Sequence, residues 1–190
     1  IGLVGSEMCI RDRLSIARAA IPYLVPNTSI FLDAGTTVMS LVRQLPNQHY
    51  TIVTSGANIA IELSQRSRST VSCVGGQISS STLSLSGPQA EAFLATVNID
   101  TAVLAATGYS TGAGFTVGSY TENSLKRRVI QKADKVILLI DRSKLGRTLP
   151  FTFASLSDID VVICDAPLPE DFIQAARAAG TEVLQVQPAK

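Results

Sequence analysis

The sequence predicts an α/β protein with a mostly parallel sheet flanked by helices on both faces. Three observations carry that expectation. Short β-branched runs recur along the 190 residues, and most are continuously apolar, as strands covered on both faces are. Between them lie segments of helical period, so strand and helix follow one another in repeated order. No repeat, linker or long charge run divides the chain, and 46% apolar residues suffice for one domain with a buried core.

A helix-period segment over 14–25 leads to the first strand, Ile30-Phe31-Leu32. Asp33-Ala34-Gly35-Thr36-Thr37 stops that strand and hands over to a helix over 37–45. The second strand, Thr51-Ile52-Val53-Thr54, passes through Ser55-Gly56-Ala57 into a helix over 58–66. Thr70-Val71-Ser72-Cys73-Val74 is the third strand and closes on Gly75-Gly76. The next stretch, 77–87, holds five serines and neither period, so it is expected to be a mobile loop beside the strand ends, either a lid or a surface excursion. A helix over 88–96 precedes the strand Thr101-Ala102-Val103-Leu104-Ala105, which runs into Thr107-Gly108. A helix over 122–133 feeds the strand Val136-Ile137-Leu138-Leu139-Ile140, which ends at Asp141-Arg142-Ser143-Lys144. Val161-Val162-Ile163, a helix over 169–179 and Val183-Leu184-Gln185-Val186 complete the alternation.

Bulk properties exclude several classes of function. Lys plus Arg (16) nearly balances Asp plus Glu (15), so there is no global positive field to hold a nucleic acid backbone. Cys9, Cys73 and Cys164 are widely spaced and odd in number, which suggests neither a disulfide framework nor a zinc site and fits a reducing cytoplasm. Cys73 and Cys164 fall in strands expected to be buried, where they act as small apolar residues. No metal or cofactor is expected. No apolar stretch approaches the ~20 residues needed to cross a bilayer, and no signal-peptide layout opens the chain. The opening 1–13 has no partner in the alternating pattern and is left unassigned, either native or, since it resembles translated sequencing-adaptor read-through, non-native; the domain proper is expected over 14–190.

In a parallel sheet, ligands sit beyond the carboxyl ends of the strands, near a switch in strand order. Five polar or glycine-rich turns are expected on that rim: 33–37, 54–58, 75–76, 107–108 and 141–144. Gly35, Thr36 and Thr37 open a helix directly after a strand, and the free N–H groups and hydroxyls of such a turn suit a phosphate. Asp33 would face sugar hydroxyls or brace the loop. The competing reading is an ordinary strand-to-helix turn with Thr36 as N-cap. Thr54, Ser55 and Asn58 line the neighbouring turn, or serve as another cap.

With these motifs in order, the chain resembles the C-terminal effector-sensing domain of the DeoR family of bacterial transcriptional repressors. The series runs from Ile16-Ala17-Arg18-Ala19-Ala20 through Leu32-Asp33-Ala34-Gly35-Thr36-Thr37, Thr51-Ile52-Val53-Thr54-Ser55 with Asn58-Ile59-Ala60, Gly75-Gly76 and Leu85-Ser86-Gly87. It continues with Asn98-Ile99-Asp100, Thr107-Gly108, Gly114-Phe115-Thr116, Glu122 with Lys126-Arg127, and Asp141-Arg142-Ser143-Lys144-Leu145-Gly146. The resemblance implies a fold similar to ribose-5-phosphate isomerase and glucosamine-6-phosphate deaminase, and a phosphorylated sugar, polyol or related metabolite as effector. It also implies a homo-oligomer that binds DNA through an N-terminal winged helix-turn-helix. Nothing before Leu14 is long or basic enough to be one, so this chain is expected to be the sensor without its reader. Thr54-Ser55-Gly56 stands where the family usually has Thr-Asn-Ser, which trades an amide for a hydroxyl at that turn.

The expected ligand-binding set is Asp33, Gly35, Thr36, Thr37, Thr54, Ser55, Asn58, Gly75, Gly76, Asp100, Gly108, Glu122, Lys126 and Lys144. Lys126 stands four residues after Glu122, the spacing of a surface ion pair, while in the related sugar-phosphate fold residues at this place face the ligand. The ammonium of Lys144 suits a phosphate or carboxylate, with a turn capped by Asp141 as the competitor. Asp100 either contacts sugar or fixes the Asn98-Ile99 turn. His49, the single histidine, sits in a helix-to-strand loop and is expected to be solvated. Two functions remain: a metabolite-sensing regulatory module, or a sugar-phosphate isomerase or deaminase on the same fold. The isomerase's Asp-Gly-Ala-Asp cluster has no counterpart, since the matching stretch Ala105-Ala106-Thr107-Gly108 carries no acid, and a non-enzyme is expected.

Overall fold

A computed structural model describes residues 2–66 and 68–187. Helix α1 (Gly2–Ala20) is followed by strand β1 (Ser29–Leu32), α2 (Thr36–Gln44), β2 (Thr51–Thr54), α3 (Ala57–Arg66) and β3 (Thr70–Cys73). A short hairpin, β4 (Gln77–Ile78) and β5 (Leu85–Ser86), then leads to α4 (Pro88–Ala95) and β6 (Ile99–Ala105). Next come β7 (Gly108–Ser110), β8 (Gly114–Val117), α5 (Tyr120–Lys132) and β9 (Ala133–Ile140). The chain closes with β10 (Phe151–Ala154), β11 (Val161–Asp165), α6 (Glu170–Ala179) and β12 (Glu182–Val186).

Seven strands form one sheet in the order β12-β11-β9-β6-β1-β2-β3, and every neighbouring pair is parallel. The chain starts inside the sheet at β1, moves outward through β2 to β3, then returns to the other side of β1 with β6 and moves outward again. The strand order therefore reverses between β1 and β6, and that reversal opens a crevice beyond their carboxyl ends.

Alternate residues of each central strand enter opposite cores, as the two-residue period of a strand requires. Ile30, Leu32, Val103, Ile137 and Leu139 pack with Ile16 and Ala17 of α1, Leu41 of α2 and Ile59 of α3. Phe31, Ala102, Leu104, Val136 and Leu138 pack with Leu94 of α4, Leu125 and Val129 of α5 and Phe172 of α6. The second core also takes Tyr109, Phe115 and Phe153 from a three-stranded antiparallel sheet, β10-β8-β7.

Several expectations change. The first helix ends at Ala20 rather than running through 14–25, because Pro22 has no amide to donate and the chain tightens into a 3₁₀ turn over Ile21–Tyr23. The same helix extends back to Gly2, through the segment that the alternating pattern left unassigned. The stretch 77–87 is not without regular structure: Gln77 pairs with Ser86 and Ile78 with Leu85. Cys73 is exposed, not buried, because β3 is an edge strand with a neighbour on one side only. Cys164 is fully buried, and burial, reinforced by the adjacent Asp165 carboxylate, pushes its thiol far above the usual range. His49 is exposed.

Candidate functional site

A cavity of about 200 Å³ lies at the strand-order reversal, lined from the carboxyl ends of β1, β2, β6 and β9 and from α5. Asp33 follows β1 directly, and its amide donates to the Val103 carbonyl of β6 at 3.0 Å, which ties it across the reversal. Its carboxylate is buried and accepts from four groups. Oδ1 takes the Ala34 amide at 2.9 Å and the Ser55 hydroxyl at 3.4 Å; Oδ2 takes the Ala105 amide at 2.9 Å and the Lys126 ammonium. Of the two roles expected for Asp33, the geometry is that of the brace.

Lys126 projects from α5 and is 6% exposed. Besides Asp33, its ammonium donates to the Ala105 carbonyl at 2.9 Å and sits 5.3 Å from the centre of the Phe153 ring. The surface pair with Glu122 that their spacing allowed does not form. Glu122 turns to the hairpin instead, its Oε1 accepting from Ser84 at 2.5 Å and Thr82 at 3.3 Å. Its Oε2 has no partner among the described residues.

The opposite wall is the start of α2. Gly35, not Thr36, is the N-cap: its φ of +132° is open to glycine and strained for other residues, and no side chain caps the helix. Thr36 is the first helical residue and is exposed; Thr37 is buried. The first N–H groups of α2 thus meet the cavity without a side-chain acceptor, at the end of the helix where the macrodipole is positive.

Lys144 reaches the cavity from a 3₁₀ turn over Arg142–Lys144 directly after β9. Both competing features are present, because Asp141 does cap that turn, accepting from the Ser143 amide at 3.0 Å, while the Lys144 ammonium has no partner among the described residues. The turn is fixed from behind by Asp165, which accepts the Arg142 amide at 2.6 Å and Nε at 3.1 Å. Arg13 of α1 also lines the cavity. It falls in the segment 1–13 that the alternating pattern left unassigned, and it is not counted in the site.

The structure gathers Asp33, Gly35, Thr36, Thr37, Ser55, Glu122, Lys126 and Lys144 on one cavity. Thr54 is fully buried behind the wall, its hydroxyl accepting the Gly56 amide at 3.0 Å. Asn58 lines a separate groove between α2 and α3. Gly75, Gly76 and Gly108 do not line the cavity. A Cβ would lie 2.4 Å from the Ser86 carbonyl oxygen at Gly76, and 2.5 Å from that of Arg147 at Gly108, so both permit close backbone packing. Asp100 is near the start of β6, at the far end of the sheet, where its Oδ2 accepts the Ser29 amide at 2.7 Å and hydroxyl at 2.9 Å. Thr82 and Ser84 were missed as individual residues, although the serine-rich 77–87 stretch marked their segment. Among the described residues no group of His, Cys, Asp or Glu could hold a metal ion, and no helix is long and apolar enough to cross a membrane.

A parallel sheet with a small polar cavity at its reversal, one ion pair sealed beneath it and unpartnered donors around it, defines an α/β domain with a candidate ligand site. The family model of the DeoR C terminal sensor domain matches residues 9–166, and the chain belongs to this family. It is the sensor domain of a DeoR-family transcriptional regulator. It is 34% identical to the HTH-type transcriptional regulator GlpR of Haloferax volcanii over 176 residues, 92% of this chain and 69% of that protein. It is 30% identical to the HTH-type transcriptional repressor GlcR of Bacillus subtilis, covering 91% of this chain and 67% of that protein. A putative aga operon transcriptional repressor of Escherichia coli O157:H7 is 29% identical, over 90% of this chain and 64% of that protein. The chain thus spans about two thirds of the length of these relatives. Among solved structures, ribose 5-phosphate isomerase A from Methanocaldococcus jannaschii aligns with a TM-score of 0.52 at 17% identity, covering 72% of this chain and 55% of that one. The eIF2B beta subunit from Chaetomium thermophilum aligns with a TM-score of 0.57 at 15% identity, covering 82% and 49%. These two likenesses concern the fold.

Proposed function

We propose that this domain binds a phosphorylated sugar or polyol, and that binding controls DNA affinity in a full-length cytoplasmic regulator that acts as a homo-oligomer. One observation carries the reading: the uncapped start of α2 and the unpartnered ammonium of Lys144 line the same small cavity. Backbone donors, a positive helix end and a cation together suit a phosphate better than a neutral ligand. Ser55, Thr36 and Glu122 supply hydroxyl and carboxylate partners for the remainder of the ligand. Control of DNA binding requires only that the ligand favour one arrangement of the oligomer, and ~1–3 kcal/mol of coupling is typical.

The isomerase or deaminase reading needs a carboxylate free to move a proton beside a carbonyl. Asp33, the most buried acid on the cavity, accepts four hydrogen bonds, one of them from the Lys126 ammonium, so both its oxygens are already engaged by the protein. The named relatives are regulators. Both facts favour the sensor.

The test is a thermal-shift panel: inorganic phosphate, glycerol 3-phosphate, ribose 5-phosphate, fructose 6-phosphate and glucosamine 6-phosphate, each organic phosphate beside its unphosphorylated parent. A phosphate-dependent rise in melting temperature without turnover is expected. Turnover of a compound that binds would establish the enzyme, and no shift with any phosphate would overturn the anion site. Light scattering at high protein concentration tests self-association, which a strictly monomeric mass would contradict.

A further inference from the structure

We infer that Thr82, Ser84 and the free oxygen of Glu122 form a hydroxyl-binding subsite that sets specificity for the polyhydroxy end of the ligand. The inference rests on the phosphate reading above and concerns the opposite end of the same cavity.

The hairpin that carries Thr82 and Ser84 is anchored on several sides. Ser79 donates its amide to the Ser84 carbonyl and Leu83 its amide to Ser79, both at 2.8 Å. The Leu83 carbonyl accepts the Ala57 amide at 2.9 Å, and the Leu85 amide donates to Ser55 at 2.7 Å. At the hairpin's base, the Ser86 hydroxyl donates to Thr121 of α5 at 2.9 Å. Between the two hydroxyl residues, Leu83 is held at a φ of +56° with its side chain toward solvent. A bulky residue with positive φ is an outlier that persists only where its surroundings over-determine it. Here that conformation accompanies Thr82 and Ser84 both lining the cavity.

The chemistry of the trio is one-sided. Ser84 donates to Glu122 Oε1 at 2.5 Å, and Thr82, 2.7 Å from the Ser84 hydroxyl and 3.3 Å from Oε1, directs its hydrogen into the same trio. Thr82 also accepts the Ser84 amide at 3.4 Å, so both hydroxyl hydrogens are committed and each oxygen keeps one lone pair for a ligand. Glu122 Oε2 adds another acceptor. A cluster of acceptors around a carboxylate repels a phosphate and receives hydroxyl donors. The cavity is therefore polarised, with an anion-accepting end at α2 and Lys144 and a donor-accepting end at Glu122. A latch alone would explain one hydrogen bond from the hairpin to α5; it does not require a linked pair of hydroxyls on one carboxylate oxygen while the other oxygen has no partner among the described residues. The arrangement also selects against a second phosphate at the distal end, because that anion would meet Glu122.

Calorimetric titration of the intact chain with inorganic phosphate and with the four organic phosphates of the panel tests this. Ser84→Ala, Thr82→Val and the near-isosteric Glu122→Gln are compared with wild type, and thermal melts confirm that each is folded. For the phosphosugars that wild type binds, the ratio of their affinity to that for inorganic phosphate is expected to fall at least fivefold in Ser84→Ala and in Glu122→Gln. Lys144→Ala is expected to weaken both classes. Unchanged ratios in folded variants would overturn the subsite while leaving the phosphate reading intact. Equal affinity of wild type for inorganic phosphate and every organic phosphate would do the same. Failure of wild type to bind any phosphate would overturn the phosphate reading and this inference with it.

Discussion

The floor and the rim of the cavity use the same chemistry, a carboxylate, a lysine and hydroxyls, with opposite results. At the floor, Asp33 and Lys126 are both almost fully buried, and Asp33 accepts four hydrogen bonds from its own chain. At the rim, the Lys144 ammonium has no partner among the described residues and Glu122 has one oxygen without one. The difference comes from position on the sheet. Asp33 ends a central strand at the strand-order reversal, where neighbouring backbone amides and α5 close over it, whereas Lys144 sits in a short turn beyond β9 with solvent on one side. A buried pair is satisfied by the protein or is costly; a rim group can leave bonding capacity for a ligand.

The sharpest way to break this comparison is at the floor. Lys126→Met leaves the Asp33 carboxylate buried without its cation, and loss of one member of a buried pair costs about 3–5 kcal/mol. Chemical denaturation is expected to show a loss of that size, and the double variant Asp33→Leu with Lys126→Met is expected to recover part of it, because no lone charge remains. A Lys126→Met variant of wild-type stability would mean that the pair is not sealed and that Lys126 belongs with the rim.

The rim should respond the other way round. Removing a charge-assisted contact to phosphate costs about 1.5–3 kcal/mol of binding, so Lys144→Ala is expected to weaken affinity for a bound phosphosugar by roughly 10- to 100-fold. Its effect on unfolding should stay within about 0.5 kcal/mol, as for other surface changes. Thr36→Ala is the gentler version. One neutral hydrogen bond is worth about 0.5–1.5 kcal/mol, so calorimetry should show a loss of a few-fold to about tenfold with stability unchanged. Loss of stability without loss of affinity in either variant would erase the distinction between floor and rim.

The strands of the main sheet were legible because apolar β-branched runs covered on both faces carry the strongest local signal, and the Asp33 to Thr37 turn was legible because it joins such a run to a helical period. The partner of Lys126 was not, since it stands 93 residues away and local spacing offered Glu122 instead. The small antiparallel sheet was also hidden: β7 and β8 are three and four residues long, and β10 arrives only after α5 and β9 have intervened. Exposure of Cys73 depended on β3 being an edge, which follows from strand order and not from composition.

Asp100 gives the smallest expected effect and a clean control on the comparison. By sequence it counted among the expected ligand-binding residues, but a residue near the start of a parallel strand lies at the amino end of the sheet, away from a site at the carboxyl end. Its carboxylate joins the starts of β6 and β1 through the Ser29 amide and hydroxyl, and it is exposed, so solvent can replace either bond. Asp100→Ala is therefore expected to cost about 1 kcal/mol or less in denaturant unfolding and to leave phosphosugar affinity within twofold of wild type. If affinity fell as far as in Lys144→Ala, the amino end of β6 would be coupled through the strand itself to the cavity at its carboxyl end, and a division of the site into a sealed floor and an open rim would no longer describe how this domain holds its ligand.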